Sequence, residues 1–203
     1  MTDTPAPRII LASASPRRRE LLRLIGLRHR VSVSGLEETP APGETPSAFA
    51  RRAAEDKAAA VAAREPELPV LAADTVVEVD GRILGKPASE EEARKMLAAL
   101  SGRWHHVHTG MAARHGERRA SLVDTTSVRF APLGEHEIAW YVSTGEVMDK
   151  AGAYAVQGAG GLLVESIDGS PHTVVGLPVQ RLGELLARCG LDLMAMLTGT
   201  PSA

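Results

Sequence analysis

Four consecutive apolar residues, Ile9-Ile10-Leu11-Ala12, stop abruptly at Ser13-Ala14-Ser15-Pro16, and no other feature constrains the fold of this chain as much. A run this short, closed by turn residues, suits a buried strand. Ser15 has the chemistry of a helix N-cap and Pro16 stands at the first helical position, so residues 17–25 are expected to form a helix ending near Gly26. Leu21, Leu22 and Ile25 supply its apolar face. The chain therefore opens as strand, polar turn, helix.

The rest continues in the same mixed manner. A second strand is expected at 30–34, a polar segment at 35–46, and an Ala-rich helix from Ser47 to about Arg64. Pro69-Val70-Leu71-Ala72-Ala73 reads as a buried strand ending on Asp74-Thr75, with residues 76–79 continuing as strand into the hairpin turn Asp80-Gly81. Ser89 with Glu92 opens a helix to Leu100. Strands at 106–114 and 121–130, a helix at 133–144, a Gly-rich stretch at 152–161, a strand at 162–167 and a last clear helix at 179–189 follow. No repeat, low-complexity stretch or linker divides the 203 residues, which are expected to form one α/β domain with flexible ends at 1–8 and 198–203.

Composition narrows the function. Aromatic residues are 3% of the chain, so the core must come from Ala, Val, Leu and Ile, and base-stacking platforms for single strands are disfavoured. A formal net charge of −2 gives no overall basic field for a polyanion, which argues against a nucleic-acid partner. No stretch of about 18 apolar residues is present, so no membrane span is expected. The single cysteine, Cys189, cannot pair within the chain, which fits a reducing, cytoplasmic setting.

The same opening turn carries the first chemistry. Ser13, Ser15 and the amides of a helix N-terminus form an anion site, and Arg17-Arg18-Arg19 place guanidiniums where a helix ordinarily disfavours cations. The alternative is a capped helix with a solvated basic turn. Asp74 can bind a divalent cation or take a proton from water, or it can hold a backbone amide as a turn residue. Gly85-Lys86-Pro87 is not a Walker loop, since the glycine spacing is short and Pro87 replaces the metal-ligating hydroxyl; Lys86 is a candidate phosphate ligand or an exposed loop lysine. His105-His106-x-His108 reads as a polar strand rather than a metal cluster, no acidic or cysteine ligand being near it in sequence. Glu37, Glu38, Lys57, Asp149, Lys150 and Gln157 gain weight only if they converge on Asp74.

Taken in order, these segments resemble the Maf family of nucleotide pyrophosphatases. The stretches are Leu11-Ala12-Ser13-Ala14-Ser15-Pro16-Arg17-Arg18-Arg19-Glu20-Leu21-Leu22, Ala73-Asp74-Thr75-Val76-Val77, Gly85-Lys86-Pro87, Leu100-Ser101-Gly102, His108-Thr109-Gly110, Asp149-Lys150-Ala151-Gly152-Ala153-Tyr154, Gln157-Gly158 and Val175-Gly176-Leu177-Pro178. The resemblance implies a mixed twisted sheet with flanking helices and two lobes around a cleft, similar to inosine triphosphate pyrophosphatases. It implies hydrolysis of nucleoside triphosphates at the α–β anhydride, dependence on a divalent metal (Mg or Mn) and a homodimer. Carried over by motif, Asp74 is the proton acceptor and, with Glu38, a metal ligand, although the adjoining Glu37 offers the same chemistry one residue away. Ser13, Ser15, Arg18, Lys57 and Lys86 fall at phosphate-binding places, and Arg17, Thr75 and Gln157 where the family selects its base. Those three match the branch that resembles dTTP/UTP pyrophosphatases, whereas the branch directed at 7-methyl-GTP has Trp, Gln and Glu there. Two other readings stand beside this one: a division-related or nucleic-acid-binding protein with a vestigial cleft, and a 7-methyl-GTP-directed enzyme.

Overall fold

The computed structural model describes residues 8–199. Seven strands form one mixed sheet in the order β2-β1-β3-β5-β6-β7, with β4 added to β3 outside that path. The strands are β1 (Ile9–Leu11), β2 (His29–Val31), β3 (Val70–Val79), β4 (Arg82–Leu84), β5 (Trp104–His115), β6 (Arg118–Phe130) and β7 (Val164–Asp168). β1 runs parallel to both β2 and β3, and the remaining pairs are antiparallel. The helices are α1 (Pro16–Leu24), α2 (Pro46–Ala62), α3 (Glu90–Leu100), α4 (Glu135–Ser143), α5 (Pro171–Val175), α6 (Leu182–Arg188) and α7 (Leu193–Thr198). The expected α/β architecture, a mixed sheet flanked by helices, is what the chain forms.

Local chemistry explains the helix starts. Ser15 caps α1 and Pro16 opens it; Thr45 caps α2 ahead of Pro46; the Ser89 hydroxyl accepts from Glu92 N at 3.2 Å while the Glu92 carboxylate accepts from Ala88 N at 2.7 Å. Between β3 and β4 the turn is as expected, with Asp80 at φ 52° and Gly81 at φ 73°, the left-handed pair of a tight hairpin.

Helix α2 sets the geometry of the site. Ala50, Ala53, Ala54, Ala58 and Val61 are fully buried against the sheet at i, i+3, i+4, i+8 and i+11, so its small side chains lie flat on β3 and β5. Lys57 falls on that same stripe. At Gly110 of β5 the approach is closest: a Cβ there would sit 2.1 Å from Ala50 O. On the opposite face, Leu11, Leu22, Leu71, Met111, Leu177 and Leu185 form one cluster, and Leu97, Val107, Phe130, Tyr141 and Tyr154 form a second further along the strands.

Several expectations are corrected. The strand expected to end on Asp74-Thr75 does not break there: Val70–Val79 is one ten-residue strand, so Asp74 lies mid-strand and not at its carboxyl end. Leu162 and Leu163 belong to a 3-10 turn (Gly158–Leu163) and not to the following strand. The helix expected at 179–189 is a 3-10 turn (Val179–Arg181) leading into α6. Helices α5 and α7 were not expected; they have 5 and 6 residues, too few for a periodic pattern to show. The expectation of flexible ends falls outside the described residues, apart from residues 8, 198 and 199, and Thr198 closes α7.

Candidate active site

β1 ends at Leu11, opposite Leu71, and β4 begins to pair only at Val77. Between those points one edge of β3 has no strand beside it among the described residues, while β5 pairs along its other edge from Val70 to Glu78. A crevice thus opens beyond the carboxyl end of β1. A cleft of about 550 Å³ opens there, a volume suited to a nucleotide-sized ligand. Its walls bring together Ser13, Ser15, Arg17, Arg18, Lys57, Asp74, Thr75, Lys86 and Gln157, residues drawn from five separate stretches of sequence. Glu37, Asp149, Lys150 and Tyr154 also line it.

The turn after β1 is held from within. Arg18 is engaged entirely by neutral acceptors: Nε donates to Gly176 O (2.8 Å), Nη1 to Ala73 O (2.7 Å) and Ser13 Oγ (3.0 Å), and Nη2 to Thr75 Oγ1 (3.0 Å). Burial pulls its pKa down, Asp74's charge pushes it back up, and Arg17 adds a smaller downward push. A half-buried guanidinium without an ion-pair partner among the described residues is a source of positive potential in the cleft wall. Ser13 Oγ accepts both from Arg18 and from Ser15 N (3.2 Å), which fills its two lone pairs and leaves its proton to donate. Arg17 Nε is buried without a hydrogen-bond partner. The local architecture therefore offers donors and positive charge to an anion.

On the α2 side, Lys57 Nζ bridges two carboxylates, at 2.5 Å from Asp74 Oδ1 and 3.1 Å from Glu38 Oε2. Glu38, not Glu37, makes this contact, and Glu38 Oε1 is a buried oxygen without a donor. Among the described residues no group of three or more His, Cys, Asp or Glu side chains converges as a metal cage. Two carboxylates, one of them carrying the orphaned oxygen, nevertheless fit Mg²⁺ or Mn²⁺, which take one or two protein carboxylates and complete their shell with water and phosphate. Lys86 and Gln157 are exposed on the cleft rim. Lys150 is paired with Asp149.

The histidine run takes no part in the cleft. His105 Nε2 lies 2.7 Å from the Tyr154 hydroxyl, and burial draws its pKa down to about 4; His106 adds a smaller downward push, and a hydrogen bond to the Arg103 backbone opposes them. His108 Nε2 lies 2.8 Å from Glu78 Oε2, an acidic neighbour that sequence proximity did not show because it comes from β3. Also missed were Thr109, Thr173 and Gly176, which support Arg18 and Thr75 from β5 and from α5 and its C-cap. For Thr109 and Gly176 the sole signal was the stretches His108-Thr109-Gly110 and Val175-Gly176-Leu177-Pro178, and Thr173 lies in neither.

Residues 8–189 match the family described as Maf-like protein. Among curated proteins, the dTTP/UTP pyrophosphatase of Anaeromyxobacter sp. (strain Fw109-5) is 51% identical over 96% of this chain and 96% of its own length. The protein of the same description from Myxococcus xanthus is 50% identical over 91% of this chain and 94% of its own. Among solved structures, a HAM1 protein from Coxiella burnetii superposes with a TM-score of 0.44 at 20% identity, over 96% of this chain and 98% of that one.

Proposed function

The chain belongs to the Maf-like family, and on that premise we propose that it hydrolyses dTTP and UTP to the monophosphate and pyrophosphate, a nucleotide-pool house-cleaning reaction. The observation that carries this reading is the meeting, in one cleft, of the Ser13–Arg18 turn with the Lys57–Asp74 pair. An anion site thereby faces a carboxylate able to accept a proton.

In this reading the triphosphate lies against Ser13, Ser15 and the amides of the turn, with Arg17, Lys57 and Lys86 balancing its charge and Arg18 acting from the cleft wall. Water attacks the α-phosphorus, the α–β bridging P–O bond breaks, and pyrophosphate leaves with that electron pair. Asp74 takes the water's proton. Lys57 holds Asp74 Oδ1, so the carboxylate keeps one orientation and its other oxygen is the acceptor. Glu38 and Asp74 would hold the divalent cation, which supplies positive charge to the phosphates and lowers the pKa of bound water. Gln157 offers both a donor and an acceptor to the O–NH–O edge of uracil or thymine, and Arg17 and Thr75 complete the base-selecting set.

Homodimerisation and a cytoplasmic setting belong to the same proposal. Large apolar side chains exposed at Leu24, Leu162 and Met194 are available for subunit contact, and sedimentation velocity tests this. No helix among the described residues is long and apolar enough to cross a membrane. The net charge of −2 supports a small-molecule rather than a nucleic-acid partner. The set Ser13, Lys57 and Asp74, brought within one cleft, favours catalysis over a vestigial, division-related role. Assaying released phosphate species from UTP tests the reaction: pyrophosphate, abolished by chelator and restored by Mg²⁺, is expected. Orthophosphate as the first product, or activity indifferent to chelator, would contradict it.

A further inference from the structure

Thr75 on β3 and Thr109 on β5 stand directly opposite each other, and their Oγ1 atoms are 2.9 Å apart. Their other partners decide which of them donates. Thr109 Oγ1 lies 2.7 Å from Thr173 O, a carbonyl that can only accept, so the Thr109 proton goes there. Thr109 must then accept from Thr75. Arg18 Nη2, 3.0 Å from Thr75 Oγ1, can only donate. The order of donation is fixed: Arg18 to Thr75, Thr75 to Thr109, Thr109 to Thr173 O.

The end of this chain is itself anchored. Thr173 Oγ1 donates to Asp124 Oδ2, which also accepts from Gln180 Nε2 at 3.2 Å, while Asp124 Oδ1 accepts from Arg181 Nη1 at 3.2 Å. Thr109 and Thr173 are fully buried, so no water competes for these bonds. Thr75 alone borders the cleft. With its proton committed inward and one lone pair taken by Arg18, its remaining lone pair is all it can offer a ligand.

We propose that Thr109 is a positioning residue, which turns the Thr75 hydroxyl so that the cleft meets it only as a hydrogen-bond acceptor. The inference rests on the reading in which the pyrimidine base lies against Thr75. An acceptor there suits the N3–H of uracil and thymine. It opposes cytosine, whose N3 is also an acceptor. Unlike Gln157, whose amide can rotate to serve either edge, Thr75 cannot adapt.

The test compares kcat/KM for UTP and CTP in Thr109→Val, which keeps the shape but removes the acceptor of the Thr75 proton, and in Thr109→Ser, which keeps the hydroxyl. Thr109→Val is expected to move the UTP:CTP ratio towards CTP by about fivefold or more, the worth of one hydrogen bond, while Thr109→Ser keeps the wild-type ratio. In a Thr75→Val background, Thr109→Val should move the ratio no further, because Thr109 acts through Thr75. Should Thr109→Val not fold, Thr109→Ala removes the same hydroxyl with less bulk and the same ratio is read. Equal losses on both nucleotides would make Thr109 a structural residue and overturn the inference, as would Thr109→Ser behaving like Thr109→Val. Wild-type protein inactive on both nucleotides would instead overturn the parent reading.

Discussion

Replacing Gly110 by alanine tests whether the close packing of α2 on the sheet is what holds the Lys57–Asp74 pair together. A Cβ at Gly110 would stand 2.1 Å from Ala50 O, 2.4 Å from Ala50 C and 2.6 Å from Arg51 N. All three are main-chain atoms of α2, so no side-chain rotation relieves the overlap. Restoring van der Waals separation requires the helix to retreat by about 1 Å. Overpacking of this kind ordinarily costs about 1–3 kcal/mol, and a backbone obstruction belongs at the upper end. For a chain of this length about 3 kcal/mol lowers Tm by roughly 6–12 °C. Two turns along the same helix, Lys57 holds Asp74 at 2.5 Å. A displacement of about 1 Å there is enough to reduce kcat by up to about 10²-fold. Thermal unfolding by circular dichroism and turnover at saturating UTP measure the two effects. Gly116→Ala is the control, because Gly116 has open space around its Cβ position and lies in a hairpin far along the chain from the site. It should lose some stability from its φ of +57° but keep kcat. Gly110→Ala unfolding within about 2 °C of wild type with kcat within about twofold would refute the reasoning.

Asp74→Asn should lower turnover by at least about 10²-fold while nucleotide affinity stays within about tenfold, since the amide keeps the shape but accepts no proton; turnover above a tenth of wild type would remove Asp74 from the acceptor role. Lys86→Ala should raise KM for triphosphates by about tenfold with little change in kcat, and unchanged kinetics would place Lys86 among ordinary surface lysines. His105, with its folded pKa near 4 against 6.5 unfolded, takes up its proton more readily in the unfolded chain. Its contribution to stability is therefore complete above pH 6.5 and is lost as pH falls to 4, by about 3 kcal/mol, and then levels off. Urea denaturation at several pH values should show this slope in the wild type and its reduction in His105→Gln; parallel curves would contradict it.

What the sequence revealed and what it concealed divide along the range of the forces involved. The strand–turn–helix at the start was legible because Ser15 and Pro16 act within one turn of chain. Asp80-Gly81 was legible because two left-handed residues in succession make one hairpin. The continuity of β3 was not: Asp74 and Thr75 interrupt an apolar run, and their place in the strand is set by Lys57 on one face and Arg18 and Thr109 on the other. Lys57, already a candidate from the sequence, is marked further as a charge on the buried stripe of α2, at the position between Ala54 and Ala58 that a core helix gives to an apolar residue. Arg18 read as a phosphate ligand because its neighbours are polar. Its bonds to Ala73 and Gly176 span 55 and 158 residues, and no local pattern encodes them. Glu38 was separable from Glu37 only once the position of Lys57 was known.

The central claim is that this cleft selects a pyrimidine triphosphate, with Arg17, Thr75 and Gln157 meeting the base. Specificity constants measured side by side for dTTP, UTP, GTP and 7-methyl-GTP, in Mg²⁺, test it most directly. The account predicts values for dTTP and UTP at least about tenfold above that for 7-methyl-GTP, because a neutral imide edge is matched by amide and hydroxyl groups while a cationic purine finds neither an aromatic platform nor a carboxylate among those three residues. A higher constant for 7-methyl-GTP than for either pyrimidine nucleotide would contradict it.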